Sequence, residues 1–307
     1  MTIPGMKCSR CRGPARYRMP SHNARFCDAC LRIFVQRQAE KAIKKFNMLR
    51  PGQRVLVAVS GGKDSLALWQ VLCEAGYETE GLHLNLELGD FTGASLAACQ
   101  AMAERLDRPL HVRNLKDMAG FSMEQIVWAN HRDFCSICGT LKRHYTNQIC
   151  RELGADTLAT GHNLDDEAGR LLGNMIHRHE KYLAGQWPVL EGMEGGFARK
   201  VKPFCFLAGQ EIKAFADSLE LPFTDQKCPR SKGATLLYYQ EAMDFLEQKM
   251  PATKRDFYAG FLRQKAAPPP APTPGAKCAM CGAPTHADVC TACRLLERAR
   301  EKYGPGE

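Results

Sequence analysis

The stretch RVLVAVSGGKDSLALW, residues 54–69, decides how the rest of the chain is read. RVLVAV (54–59) is a short β-branched run of the kind that fills a buried parallel strand, and LALWQVLCEAG (66–76) reads as a helix. Ser60-Gly61-Gly62-Lys63-Asp64-Ser65 joins the two. Glycines in such a loop let backbone N–H groups approach an anion, and the start of the next helix favours negative charge. A Walker loop needs Gly-x4-Gly-Lys-Ser/Thr, but position 57 is Val and Asp64 follows Lys63, so that motif fails. A glycine turn alone is weak evidence, since many strand-to-helix connections look alike.

Working outward, the same alternation repeats. ETEGLHLNL (78–86), PLHVRNL (109–115) and TLATG (157–161) read as strands, while 93–106, 139–153 and GHNLDDEAGRLLGNMI (161–176) read as helices. This predicts an α/β fold over residues 53–265, a parallel sheet covered on both faces. Upstream, segment 34–52 carries Phe34, Ala42, Phe46 and Leu49 at roughly helical spacing and is expected to be a basic connecting helix ended by Pro51-Gly52. Downstream, AAPPPAPTPGA (266–276) reads as a semi-rigid spacer. With 307 residues, 45% of them hydrophobic, the chain can bury a sizeable core. Its longest apolar runs fall far short of a membrane span and its first residues carry no apolar signal region, so a cytoplasmic protein is expected.

Fifteen cysteines is a high number for such a chain. Cys8-x2-Cys11-x15-Cys27-x2-Cys30 (within 1–33) and Cys278-x2-Cys281-x8-Cys290-x2-Cys293 (within 277–307) each fit a closed four-thiolate zinc ribbon. Segments this short cannot bury a core alone, so two Zn2+ ions are expected to supply their folding energy; His22 and His286 are spare ligands. The charge is equally uneven. Residues 1–50 carry 12 Lys/Arg against 2 Asp/Glu, although the whole chain is only +9. That asymmetry points to a polyanion, most plausibly nucleic acid, gripped by Arg10, Arg12, Arg16, Arg18, Arg25, Lys44 and Lys45, with help from Lys249, Lys254 and Arg255.

Cys135-Ser-Ile-Cys138 and Cys228-Pro229 remain. Such a set fits a zinc half-site, a redox pair or a structural role. Cys-Pro also occurs at iron–sulfur ligands, and three thiolates without a fourth would leave one iron of a [4Fe–4S] cluster open. Cys73, Cys99 and Cys150 fall in amphipathic helical stretches and read as core; Cys205 receives no role.

Taken together, VLVAVSGGKDSLALW, CSICG-x2-K-R, TGHNLDDEA, ARKVKPF, KCPRSKGAT and the two four-cysteine modules closely resemble the TtuA-like tRNA 2-thiouridine synthetases, PP-loop ATP pyrophosphatases related to the archaeal and eukaryotic cytosolic tRNA thiolation enzymes. The resemblance implies that ATP, with Mg2+, is held by Ala58, Val59, Ser60, Gly61, Gly62, Lys63, Asp64 and Ser65, with His83 and Gly161 beside the adenosine. It implies Cys135, Cys138 and Cys228 as ligands of a [4Fe–4S] cluster, and Lys142 and Asp166 as polar groups at the reaction centre. It further implies adenylation of the uridine 2-oxygen, sulfur held on the cluster, a ubiquitin-like sulfur carrier or free sulfide as donor, and a homodimer. The T-loop uridine at tRNA position 54 is the expected target; wobble uridine 34, cytidine 32 and an RNA-binding protein without thiolation activity are the alternatives.

Overall fold

A computed structural model describes residues 5–193, 196–231, 233–264 and 275–305, so most of the expected Pro-rich spacer lies outside the described residues. The sheet has six strands: β1 (Arg54–Ala58), β2 (Glu78–Asn85), β3 (Leu110–Asn114), β4 (Thr157–Thr160), β5 (Val189–Leu190) and β6 (Arg199–Val201). Their order is β3-β2-β1-β4-β6-β5, parallel throughout except for β5, which runs against β6. Val55, Leu56 and Val57 are all almost fully buried. Such a run shows no alternation because helices cover both faces.

Strand order reverses at β1. The chain first builds outward through β2 and β3, then returns to place β4 on the other side of β1, with Ala58 in register with both Leu82 and Thr160. In open α/β sheets a ligand crevice forms at such a switch point, beyond the carboxyl ends of the strands. The loops after β1 and β4, SGGKDS and GHN, both emerge there.

The longer helices are α1 (Asp28–Lys45), α2 (Lys63–Glu74), α3 (Asp90–Leu106), α4 (Met123–Asn130), α5 (Phe134–Glu152), α6 (Leu164–Ile176), α7 (Gly209–Ser218), α8 (Thr235–Lys249), α9 (Thr253–Gln264) and α10 (Thr291–Tyr303). Helix α1 departs from expectation at both ends. It starts directly after Cys27, so the helix crosses the expected 33/34 boundary, and it stops at Lys45, with Asn47 in a left-handed conformation well before Pro51. Its buried stripe is Leu31, Val35, Ala39 and Ala42, while Phe34 and Phe46 are half-buried at the flank. Helix α5 begins five residues before the expected 139. Gly139 made the preceding residues look unhelical, but Ile137, Leu141 and Tyr145 all bury into one cluster, and that packing overrides propensity.

Neither terminal module stands apart. Met19 and Phe26 of the first join Leu31, Val57, Leu68 and Phe215 in one apolar cluster. In the second, Leu295, Leu296 and Ala299 of α10 pack with Ile126, Ile137 and Leu141, and Asn130 Nδ2 donates to the Leu295 carbonyl at 2.9 Å. Each module borrows core from the body.

Candidate active site

The SGGKDS loop is braced from within. Ser65 Oγ accepts from the Ser60 N–H at 3.0 Å and donates to the Gly62 carbonyl at 3.0 Å. Gly62 caps α2 with no side chain over the first turn, which leaves that turn's amides open to an anion. Gly61 has φ +79°, and a Cβ there would lie 2.5 Å from the Ser95 carbonyl oxygen. A Cβ on Gly161 would lie 2.9 Å from Ser65 backbone atoms, so the two loops of the crevice abut. Both glycines are required by close backbone approach, whatever they bind.

Lys63 Nζ donates to both oxygens of Asp64 at 2.8 and 2.7 Å, and Asn163 Nδ2 reaches the same carboxylate at 3.1 Å. Asn163 also caps α6: its Oδ1 accepts from the Asp165 and Asp166 amides, and Asp166 Oδ2 accepts from the Asn163 amide. Asp166 further accepts from Gln240 Nε2 at 3.0 Å. Burial pushes the Asp166 carboxyl up to about 6, with Asp64 and Glu167 adding and the Asn163 N–H and Arg170 opposing. His162 sits next to it, its Nδ1 2.9 Å from Thr160 Oγ1, and burial followed by Arg170, Lys202 and Lys200 drives it down to about 3. His83 is 4% exposed and holds the Val59 carbonyl through Nδ1 at 3.0 Å, with Cys99 Sγ 3.4 Å away; it buttresses the loop from behind.

Cys135 and Cys138 sit near the start of α5 and Cys228 in the segment before α8. Burial pushes the Cys138 thiol up; Lys142 opposes this, while Cys228 and Cys135 add to it. Lys142 lies one helical turn beyond Cys138 on α5, and its charge adds to burial in lowering His83. Among the described residues the three sulfurs do not form a single-ion group, whereas both four-cysteine sets do, each with all sulfurs within 4.8 Å of one another.

In the modules, Cys11 and Cys27 sulfurs are 3.7 Å apart and Cys281 and Cys290 sulfurs 3.8 Å apart. Tetrahedral Zn–S bonds of about 2.3 Å place sulfurs about 3.8 Å apart, so the donor sets fit zinc. Cys27 and Cys290 are the N-caps of α1 and α10. Burial raises the Cys8 and Cys278 thiols, yet backbone N–H groups bring each down to about 6, while burial carries Cys30 up to about 12. Each set thus holds an anion that a cation would neutralise.

The seven basic residues of the arm are all exposed. Arg18 lies opposite Arg25 in a two-stranded hairpin, and Arg16 pairs with Asp28 at 3.2 Å. Lys44 and Lys45 stand at the far end of α1, roughly 27 Å from its start at the usual rise, so the arm is two separate groups. One helper fails: Lys254 is 4% exposed and pairs with Asp165 at 2.7 Å and with Asp244. It cannot grip an external phosphate.

Sequence reasoning missed Asn163 as the bridge between the loops, although Asn-x-x-Asp before a helix is a capping signal. It also missed Asp165, which accepts from the Gly209 amide at 2.9 Å. A cavity of about 1210 Å3 lies at the opposite, amino end of the sheet, lined by Gln53, Asp156, Thr157 and Arg199. Size does not make it the nucleotide site, because none of its lining residues belongs to the SGGKDS loop, the start of α2 or the GHN loop.

The fold and crevice define a PP-loop nucleotide-binding protein, and residues 33–230 match the PP-loop domain family. Residues 7–32 match the N-terminal LIM domain of 2-thiouridine synthetase TtuA. The chain is 37% identical to a tRNA-5-methyluridine(54) 2-sulfurtransferase of Thermotoga maritima, over 97% of this chain and 98% of that one. It is 39% identical to the protein of the same name from Thermus thermophilus, over 95% and 91%. The solved U34-tRNA thiolase NcsA of Methanococcus maripaludis, with its [4Fe–4S] cluster, superposes with a TM-score of 0.83 at 25% identity, covering 98% of each chain. This chain belongs to the TtuA-like PP-loop tRNA 2-thiouridine synthetases.

Proposed function

We propose that the protein thiolates tRNA at the 2-position of uridine 54, using ATP to activate the oxygen that sulfur replaces. The observation that carries this is an SGGKDS crevice whose first α2 amides are open to a phosphate, together with three cysteines that do not close on a single ion and Lys142 one helical turn beyond Cys138. Position 54 is favoured over the wobble position by the names of the bacterial relatives.

The uridine 2-oxygen attacks the α-phosphorus of ATP and pyrophosphate leaves; sulfur then adds at C2, and AMP departs with the original oxygen. The α2 amides and Lys63 hold the phosphates, and Mg2+ shares their charge. The Lys63–Asp64 pair opens to do so, with Asn163 keeping Asp64 in place. Lys142 faces the base and balances charge on the adenylated oxygen. Asp166, held near neutral pH by burial, takes or gives a proton there.

Cys135, Cys138 and Cys228 would hold the [4Fe–4S] cluster; the donor set fits, since three thiols lie within electrostatic reach of one another and no fourth thiol among the described residues joins them. When bound, the cluster supplies an open iron that can carry sulfur as a Lewis acid. The two four-cysteine sets would each hold Zn2+.

Strictly anaerobic preparation with metal analysis, followed by thiolation of a tRNA substrate and nuclease mapping by mass spectrometry, tests this. Iron and sulfide near about four per chain and a sulfur-for-oxygen mass gain in the T-loop fragment are expected. A gain in the anticodon fragment would move the target to uridine 34. Equal thiolation by fully apo protein would overturn the cluster.

A further inference from the structure

Helix α5 carries a second polar face. Thr140, Arg143, His144, Asn147 and Arg151 recur at the three- and four-residue spacing of one helix side, apart from the buried Leu141–Tyr145 stripe. That side lines a cavity of about 320 Å3, within the size range of a small-ligand site. Half-buried Lys200 of β6 forms its far wall, and the C-terminal module covers it through Pro284 and Ala292.

No carboxylate lines this cavity, yet Arg143, Arg151 and Lys200 all face it. Among the described residues neither Arg143 nor Lys200 has an ion-pair partner, and Arg151 donates only to the Gly196 carbonyl, at 3.0 Å. Burial lowers Lys200, with Cys150 opposing and Arg143 adding, and burial lowers Arg143, with Arg170 adding and Cys138 opposing. An anion among these partly buried cations would offset the cost of their burial. Asn147 adds a different demand. It is 5% exposed, its Nδ2 donates to the Arg143 carbonyl at 2.8 Å, and its Oδ1 has no partner among the described residues. A phosphodiester group has no proton to offer that oxygen, whereas the adjoining ribose of RNA brings a 2′-hydroxyl. Along α5 the lining runs from Thr140, two residues beyond Cys138, to Arg151, roughly three and a half turns beyond Cys138.

We propose that this cavity is a ribose-phosphate subsite for the RNA substrate, with Arg143 and Lys200 on a backbone phosphate and Asn147 accepting from a 2′-hydroxyl. It rests on the tRNA function proposed above and adds where the RNA backbone is held. The test uses the full, metal-loaded chain and fluorescence anisotropy with a labelled tRNA transcript and its all-2′-deoxy copy. Replacing both cations (Arg143→Ala with Lys200→Ala) is expected to weaken tRNA binding about tenfold and to lower the log–log salt slope by about 1–2. The melting temperature is expected to stay at the wild-type value. Wild-type protein is expected to prefer the RNA over the deoxy copy, and Asn147→Ala to erode that preference without changing the salt slope.

Wild-type affinity and slope in the double variant, with tRNA still bound and thiolated by the parent, would overturn the subsite alone. Failure of the wild type to bind or thiolate any tRNA would instead remove the parent function. Should Asn147→Ala unfold the chain, equal wild-type affinity for the RNA and its deoxy copy would still defeat the hydroxyl contact.

Discussion

The chain holds cysteines in two arrangements. In the terminal modules four sulfurs close on one point, with neighbours at 3.7 and 3.8 Å, and helix N-caps and backbone amides complete the shell. In Cys135, Cys138 and Cys228 the three sulfurs do not close on one point, and Lys142 stands one helical turn beyond Cys138. A filled coordination sphere has no room for a substrate, and an incomplete one does. On the function proposed above, ligand count and spread would divide structural from reactive metal chemistry within one polypeptide.

The widest separation is expected from Cys228→Ala against Cys290→Ser. Cys228→Ala should lower thiolation on the order of 100-fold or more while zinc content stays unchanged. Iron analysis with tRNA mass spectrometry checks it, and retained activity without iron would break the comparison. Cys290→Ser should instead release one zinc, and because on the order of 10 kcal/mol of metal binding couples to folding in such modules, α10 should loosen from α4 and α5. Limited proteolysis over 277–303 reads this, with iron expected to stay.

Gly161→Ala probes the crevice without touching a cysteine. Its Cβ would press on the Ser65 backbone at 2.9 Å, so a loss of about 1–3 kcal/mol in stability and weaker ATP binding are expected. Isothermal titration with a non-hydrolysable ATP analogue measures the second effect.

The smallest expected effect is on acid stability, and it concerns the crevice alone. His162 titrates near 3 in the fold instead of 6.5, so the unfolded chain binds more protons and stability falls as pH drops from about 6.5 toward 3. Asp166 titrates near 6 instead of 3.8, so the folded chain binds more protons and stability rises as pH drops through that interval. The two oppose each other. Asp166→Asn should therefore steepen the acid loss between about pH 4 and 6, by up to about 1.4 kcal/mol per pH unit. Urea unfolding across that range checks it; a shallower loss would mean that Asp166 is not held protonated.

Much of this was legible. RVLVAV followed by SGGKDS announced the β1–α2 turn, and four thiols at ribbon spacing announced the modules, because those features depend on residues close in sequence. Long-range packing was not legible. The start of α5 depended on Ile137 and Leu141 finding α10, more than 150 residues away. Lys254 looked like a surface cation, and only the approach of α9 to α6 paired it with Asp165. Asn163 could be read as a cap but not as the partner of Asp64, which is 99 residues earlier. The expected 33/34 division falls inside α1, which packs at once with the first module and the central core, while the two matched family domains meet at residues 32 and 33.

All three cysteine groups meet the start of a helix: Cys27 and Cys30 at α1, Cys135 and Cys138 at α5, Cys290 and Cys293 at α10. Helix amides favour a thiolate at such a start, which suits metal capture, while burial opposes it at Cys30, Cys138 and Cys293. The same preference is a hazard once metal is lost, because thiolates are what oxidants attack. With metal bound as proposed above, air and chelators would strike this chain at the same three places, and in the terminal modules the stripped sulfurs lie close enough to form disulfides. An oxidised preparation would keep its sheet and crevice while being unable to take metal back until reduced.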